Sequence, residues 1–232
     1  MDQAMIIELN SVNKSYIDGY ERDRKLVLRD VSLRVNAGET VAIVGQSGCG
    51  KSTLLNLMGA LDAPVSCSIT INGKELSRLS PKEAAAIRAV DIGFVFQSHH
   101  LLPQATVIEN VTLPSLAIPQ KRNAQSVKAR AMDLLSKVGI CEHANHFPGQ
   151  LSGGERQRAA VVRSLINKPS LLLADEPTGA LDAGNADDLT GLLLDLNKSE
   201  GIALVVVTHN EKVASKMDRK LTIKSGVLTE LH

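Results

Sequence analysis

A glycine-rich segment at residues 45–53, Gly-Gln-Ser-Gly-Cys-Gly-Lys-Ser-Thr, constrains this chain more than any other feature. It follows the apolar run Thr40-Val41-Ala42-Ile43-Val44 and precedes Leu54-Leu55-Asn56-Leu57-Met58, which suits a helix. Strand, loop and helix in that order bring successive backbone N–H groups to a helix N-terminus. Gly45, Gly48 and Gly50 permit the backbone turns that aim those groups at phosphate oxygens. Lys51 adds a compact positive charge for β- and γ-phosphates, and Ser52 offers a hydroxyl to Mg2+. An ordinary turn between strand and helix needs neither residue, so the pattern predicts an α/β fold that binds a nucleoside triphosphate.

A chain of 232 residues can bury a substantial core, as one large domain or as a core with an inserted subdomain. No apolar run reaches the roughly 18 to 20 residues that span a bilayer, and Met1-Asp2-Gln3-Ala4 has neither the basic start nor the apolar core of a signal peptide. Any membrane role is therefore expected through a partner. With 26 basic against 25 acidic residues there is no field to attract nucleic acid, and 2% aromatic residues leave few rings to stack on bases. The three cysteines, Cys49, Cys67 and Cys141, form no disulfide framework, which fits a reducing cytosol.

Along the chain, residues 6–12 and 26–35 read as strands around a polar hairpin end at residues 21–25, and residues 68–71 as a strand turning at Asn72-Gly73. Ser80-Pro81-Lys82-Glu83 combines an N-cap, a proline at the first helical position and a reciprocal acid, so a helix starts there. Residues 92–96 form an apolar strand. Residues 98–119 hold three prolines and little periodicity, and residues 124–138 an amphipathic helix stopped by Gly139. Residues 98–165, approximately, are expected to be a helical insertion. Apolar runs at 171–174 and 202–207, separated by a helix near 184–198, predict a mostly parallel sheet covered on both faces, closed by a hairpin around Ser225-Gly226.

Leu171-Leu172-Leu173-Ala174-Asp175-Glu176 puts two carboxylates at the C-terminal end of a buried strand, where open α/β sheets bind ligands. Asp175 suits the Mg2+ shell, and Glu176 suits a general base for the attacking water. Leu151-Ser152-Gly153-Gly154-Glu155 carries a capping box through Ser152 and Glu155. Capping does not require the paired glycines, which weaken a first helical turn but let a phosphate touch backbone at the positive end of a helix.

Walker A at residues 45–53, Gln97 after Phe94-Val95-Phe96, a signature at Leu151 to Glu155, Walker B at Leu171 to Glu176 and a switch at Thr208-His209 follow one another over nearly the whole chain. This order resembles that of ABC-transporter nucleotide-binding domains. The resemblance implies a P-loop NTPase core with an N-terminal antiparallel β subdomain and an inserted helical subdomain. It also implies hydrolysis of ATP with Mg2+, and a homodimer in which each ATP lies between one subunit's Walker A and the other's Ser152-Gly153-Gly154-Glu155. By motif, the ATP-binding set is Tyr16, Gly45, Gln46, Ser47, Gly48, Cys49, Gly50, Lys51, Ser52 and Thr53, with Tyr16 stacking on adenine and Tyr20 as its competitor. Ser52, Gln97 and Asp175 would hold Mg2+; Glu176, His209 and Gln97 would serve catalysis; Asp182 would cross the dimer interface.

Within that family, Phe96-Gln97-Ser98-His99-His100-Leu101-Leu102-Pro103 and Thr106-Val107-Ile108-Glu109-Asn110-Val111 look like the segment of lipoprotein-releasing ATPases that meets membrane subunits. This implies integral-membrane permease partners and a place at the cytoplasmic face of the bacterial inner membrane; His99, His100, Leu101 and Leu102 are expected to dock such a partner, the alternative being that the leucines simply pack the helical insertion. Macrolide-type export and cell-division ABC ATPases are the alternatives, because Asp175-Glu176-Pro177-Thr178-Gly179 fits them too. Cys67 replaces a usual turn glycine, Ala180 a usual Ser or Asn, and Gln104-Ala105 an acidic-aromatic pair. The Cys49 thiol is expected to border the phosphates. The short run Cys141 to His146 lacks the second ligand segment of a zinc site.

Overall fold

The computed structural model describes residues 4–17, 24–118 and 123–231. Tyr20 and residues 21–23 of the expected hairpin end lie outside them.

Two sheets organise the chain. Strands β1 (Met5–Ile17), β2 (Arg24–Asn36), β4 (Ser66–Ile71) and β5 (Lys74–Glu75) form an antiparallel sheet in the order β2-β1-β4-β5. Strands β3 (Thr40–Val44), β6 (Ile92–Phe96), β7 (Leu171–Asp175), β8 (Ala203–Val207), β9 (Arg219–Lys224) and β10 (Val227–Leu231) form the other, in the order β10-β9-β3-β8-β7-β6. Every neighbour in this second sheet is parallel except the β9–β10 hairpin.

The inner strands are apolar throughout because both faces are covered. Val41, Ile43, Leu171, Leu173, Val205 and Val207 share one core with helix α1 (Lys51–Met58) and with Ile7, Leu9, Ile69 and Ile71 of the antiparallel sheet. The intervening residues Ala42, Leu172, Ala174, Leu204 and Val206 join the opposite core with Ala159 and Val162 of α5 (Gly153–Leu165) and Leu189 and Leu193 of α6 (Ala183–Glu200). Period-two alternation thus sends each strand's side chains to two different helix layers.

Helix α2 (Pro81–Val90) carries the capping box expected at Ser80 and Glu83. Between β6 and β7 lie α3 (Val107–Thr112), α4 (Ala124–Lys137) and α5, each with a side-chain N-cap from Thr106, Asn123 or Ser152. The sequence reading has no helix at α3, although Thr106 and Glu109 form a reciprocal capping box there. Buried Asn110 binds the preceding loop to this helix: its amide donates to the carbonyls of Leu102 and Ala105, and its oxygen accepts from Leu102 N at 2.7 Å. Leu101 is folded into the same core as Val107, Val111 and Leu134. That corrects its expected docking role, since a side chain 6% exposed cannot fill a partner's cleft.

Cys67 occupies the left-handed region at φ +75, where the pairing of β1 with β4 shifts register between Asn10 and Asn13. A Cβ is disfavoured there, which gives a physical reason for the usual glycine. Cys67→Gly is expected to raise stability by about 1 kcal/mol, read as a higher Tm in thermal melts.

Candidate functional site

Strands β3, β8, β7 and β6 run parallel, so their C-terminal ends share one edge of the sheet. The register sets Phe96 beside Asp175 and Asp175 beside Val207. The loop after β3, Gln97 after β6, Glu176 after β7 and Thr208-His209 after β8 consequently converge. A cleft of about 870 Å³ opens there. Its walls include Tyr16, residues 45–48 and 50–53, Gln97, Asp175, Glu176 and His209. Ser98 and His100, which carry no cleft role in the sequence reading, line it as well.

Close approach fixes the loop. A Cβ on Gly45 would stand 2.7 Å from the Ile223 carbonyl oxygen, and one on Gly50, at φ +109, 3.0 Å from Leu28 Cδ2. Gly50 is also the N-cap of α1 and no side chain caps it, so the first-turn N–H groups of the helix face the cleft. The largely buried Lys51 ammonium crosses the loop, donating to the carbonyls of Gly45 at 2.8 Å and Gln46 at 2.9 Å. The concave wall is therefore cationic and rich in N–H donors.

The opposite wall is acidic. Burial raises the Asp175 carboxyl above its ordinary range; the Ser52 hydroxyl and Lys51 oppose that shift, and the neighbouring Glu176 charge adds to it. A half-buried carboxylate beside a serine hydroxyl is a donor set suited to a hard divalent cation. Glu176 adopts φ +46, an uncommon conformation for a non-glycine residue, with its N–H donating to the Val207 carbonyl at 2.9 Å. Its carboxylate accepts from the Thr208 hydroxyl at 3.1 Å and His209 N–H at 3.3 Å, and meets His209 Nδ1 at 2.8 Å. The strained backbone and three contacts from Thr208 and His209 aim one carboxylate into the cleft.

Tyr16 lies at the mouth, 42% exposed, its hydroxyl donating to Asp62 Oδ2 at 2.8 Å. Gln97 is exposed and reaches towards Gly179, where an added Cβ would come 3.0 Å from its Nε2. The Cys49 thiol departs from expectation. It is not among the cleft-lining groups but lines a second cleft with Ile223, Lys224 and Ser225 on the β9 side, while its N–H donates to Gln46 O within the loop. Its Sγ would sit 2.7 Å from a Cβ on Gly45, so it packs behind the loop.

The signature residues stand apart from this cleft. Ser152 caps α5, accepting from Glu155 N at 3.3 Å while Glu155 accepts from Ser152 N at 2.7 Å. Ser152 and Gly153 are exposed. Beside them, Gly154 approaches Asn185 and Gly153 approaches Leu181, either side of Asp182, which caps α6 by accepting from Asn185 N at 3.0 Å. Ser152, Gly153 and Asp182 thus form one exposed surface with its own helix N-terminus.

The family profile for ABC transporters matches residues 28–179. A lipoprotein-releasing system ATP-binding protein LolD from Shewanella frigidimarina is 49% identical over 97% of this chain and 93% of its own length. Its counterpart from Shewanella oneidensis is 48% identical over 97% of this chain and 96% of its own length. Among solved structures, the dimeric bacterial ABC transporter cassette MJ0796 superposes with a TM-score of 0.87 at 38% identity, covering 98% of this chain and 99% of that one. A dimeric post-hydrolysis state of the same cassette, bound to ADP and Pi, matches equally well. No described helix is long and apolar enough to cross a membrane. This chain belongs to the ABC transporter family of ATP-hydrolysing ATP-binding proteins and, within it, to the lipoprotein-releasing system ATP-binding proteins.

Proposed function

We propose that this protein is the ATPase subunit of an inner-membrane complex that releases lipoproteins, working as a dimer at the cytoplasmic face through membrane-spanning permease partners. The observation that carries this reading is identity of 47–49% to lipoprotein-releasing ATP-binding proteins over 97% of the chain. These relatives do not favour the export and cell-division alternatives.

In this reading the N–H groups of residues 45–53 and Lys51 bind the phosphates, and Tyr16 presents a ring to adenine. Ser52, Asp175 and Gln97 hold Mg2+, which when bound offsets charge on the β- and γ-phosphates. Glu176 accepts a proton from the attacking water, and its hydrogen bonds from Thr208 and His209 fix the direction of that transfer. His209 faces the terminal phosphate. The surface of Ser152, Gly153 and Asp182, with the partly covered Gly154 beside it, serves the second copy's ATP. It supplies N–H donors at a helix N-terminus, carrying about half a positive charge, to a phosphate already held on the first copy.

With Leu101 buried, the permease seat in this reading lies elsewhere on the helical insertion. An open groove of about 1440 Å³ runs between α3, the 3₁₀ turn Leu113–Ala117 and α4, with Ile108, Leu113, Leu116 and Val127 along it. Leu116 is 80% exposed, and in this reading it meets a partner's apolar surface. The test is replacement of the native LolD in Shewanella oneidensis by this chain. Growth with lipoproteins reaching the outer membrane is expected for the native sequence. Leu116→Asp should lose complex assembly and release by about tenfold or more while its soluble ATPase rate stays within twofold, because truncating or charging an interface anchor typically costs 2 kcal/mol or more. Viable cells that retain lipoproteins normally sorted outward would reject the assignment.

A further inference from the structure

The Tyr16 phenol, the Asp62 carboxylate and the Lys14 ammonium form a chain of contacts that reaches from the mouth of the cleft into the protein. Lys14 is 8% exposed, and such a charge is stable only when matched. Its Nζ donates to Asp62 Oδ1 at 2.6 Å and to the Ala63 carbonyl at 2.8 Å. Asp62 Oδ1 also accepts from Ala63 N at 2.7 Å, which leaves Oδ2 to accept the Tyr16 hydroxyl at 2.8 Å. The Lys14 ammonium sits 4.9 Å from the centre of the Tyr16 ring, so that side of the ring already has a neighbour.

The two ends of the network belong to different elements. Tyr16 and Lys14 are on β1, opposite Lys25 and Leu28 of β2. Asp62 follows α1, and the N–H groups of Leu61 and Asp62 donate to the Asn56 carbonyl at its end. Burial would raise the Asp62 carboxyl, but the hydrogen bonds from Lys14, Tyr16 and Ala63 outweigh it and hold the group ionised below the usual range. A permanent anion then accepts from the phenol.

We infer that Lys14 and Asp62 are positioning residues for the base of ATP, fixing the Tyr16 ring in register with the phosphate-binding helix so that base and triphosphate meet one rigid frame. The inference rests on the reading of Tyr16 as the adenine platform. It assigns a task to the phenolic oxygen, which a stacking ring alone does not need. An ion pair serving only to fasten β1 to α1 would affect melting and leave nucleotide affinity untouched.

Binding of ATP and of inorganic tripolyphosphate, each with Mg2+, separates these roles, because tripolyphosphate has no base. Calorimetric titration of Tyr16→Phe and Asp62→Asn is expected to show ATP Kd raised by about three- to tenfold, the size of one ordinary net hydrogen bond felt indirectly through the ring, with tripolyphosphate Kd within about twofold of native. Tyr16→Ala should weaken ATP at least as much. Tyr16→Phe keeps the ring and its packing, so it decides the matter if Asp62→Asn folds poorly by Tm. Unchanged ATP affinity in Tyr16→Ala would remove the platform reading, and the inference with it. A loss in Tyr16→Ala with none in Tyr16→Phe or Asp62→Asn would overturn the inference alone. Equal losses for ATP and tripolyphosphate would also overturn it, placing the residues with the phosphate cradle.

Discussion

Glu176→Gln is expected to bind ATP as tightly as the native chain and to hydrolyse it at least about 10²-fold more slowly, since a positioned general base contributes 10² to 10⁴. The substitution keeps the shape of the side chain and an oxygen that can still accept from Thr208 and His209 N–H, so the strained turn at φ +46 has the same supports. What disappears is the capacity to take a proton. With hydrolysis stalled and both phosphate-facing surfaces intact, ATP should hold two copies together. Phosphate release and ATP-dependent elution of a dimer on gel filtration are the readouts. A variant turning over at the native rate would remove Glu176 from the chemistry.

Lys51→Ala and Ser152→Ala should each abolish most activity, by different routes. Lys51 is the compact charge in the loop, and deleting one preorganised electrostatic group of this kind costs about 10²- to 10³-fold in rate. Its loss should weaken nucleotide binding by a single copy. Ser152 is remote from the cleft of its own chain, so Ser152→Ala should leave single-copy ATP binding within about twofold and impair the closed dimer, because removing an N-cap costs only about 1 kcal/mol of local stability. The separation of affinity from activity is the distinguishing mark.

The edge proposed to bind phosphate was legible because each of its parts is a short linear pattern at a strand end, and parallel strands bring such ends together whatever lies between them. Gly45 to Thr53, Asp175-Glu176 and Thr208-His209 needed only the order of strands to meet. Side-chain direction was less accessible. Cys49 stands between two glycines, and neither its neighbours nor its spacing reveals that the thiol turns towards Ile223. Leu101 reads as part of a docking segment until Asn110 is seen to fold the loop onto α3. Helix α3 itself is six residues long, too short for periodicity to register, and only its capping box announced it. The partner of Tyr16 was hidden for another reason: Asp62 is 46 residues away in sequence, so their contact exists only after β1 has packed beside the end of α1.

The central claim is that ATP is hydrolysed between two copies, at a site built from the Walker A of one and the Ser152 surface of the other. Mixing the inactive Lys51→Ala and Ser152→Ala proteins tests it most directly. In a mixed dimer one composite site carries both lesions and the other carries neither, so steady-state ATPase activity should return, well above that of either variant alone at the same total concentration. Activity no greater than the average of the two separate variants, under conditions where native chains dimerise with ATP, would contradict the shared site.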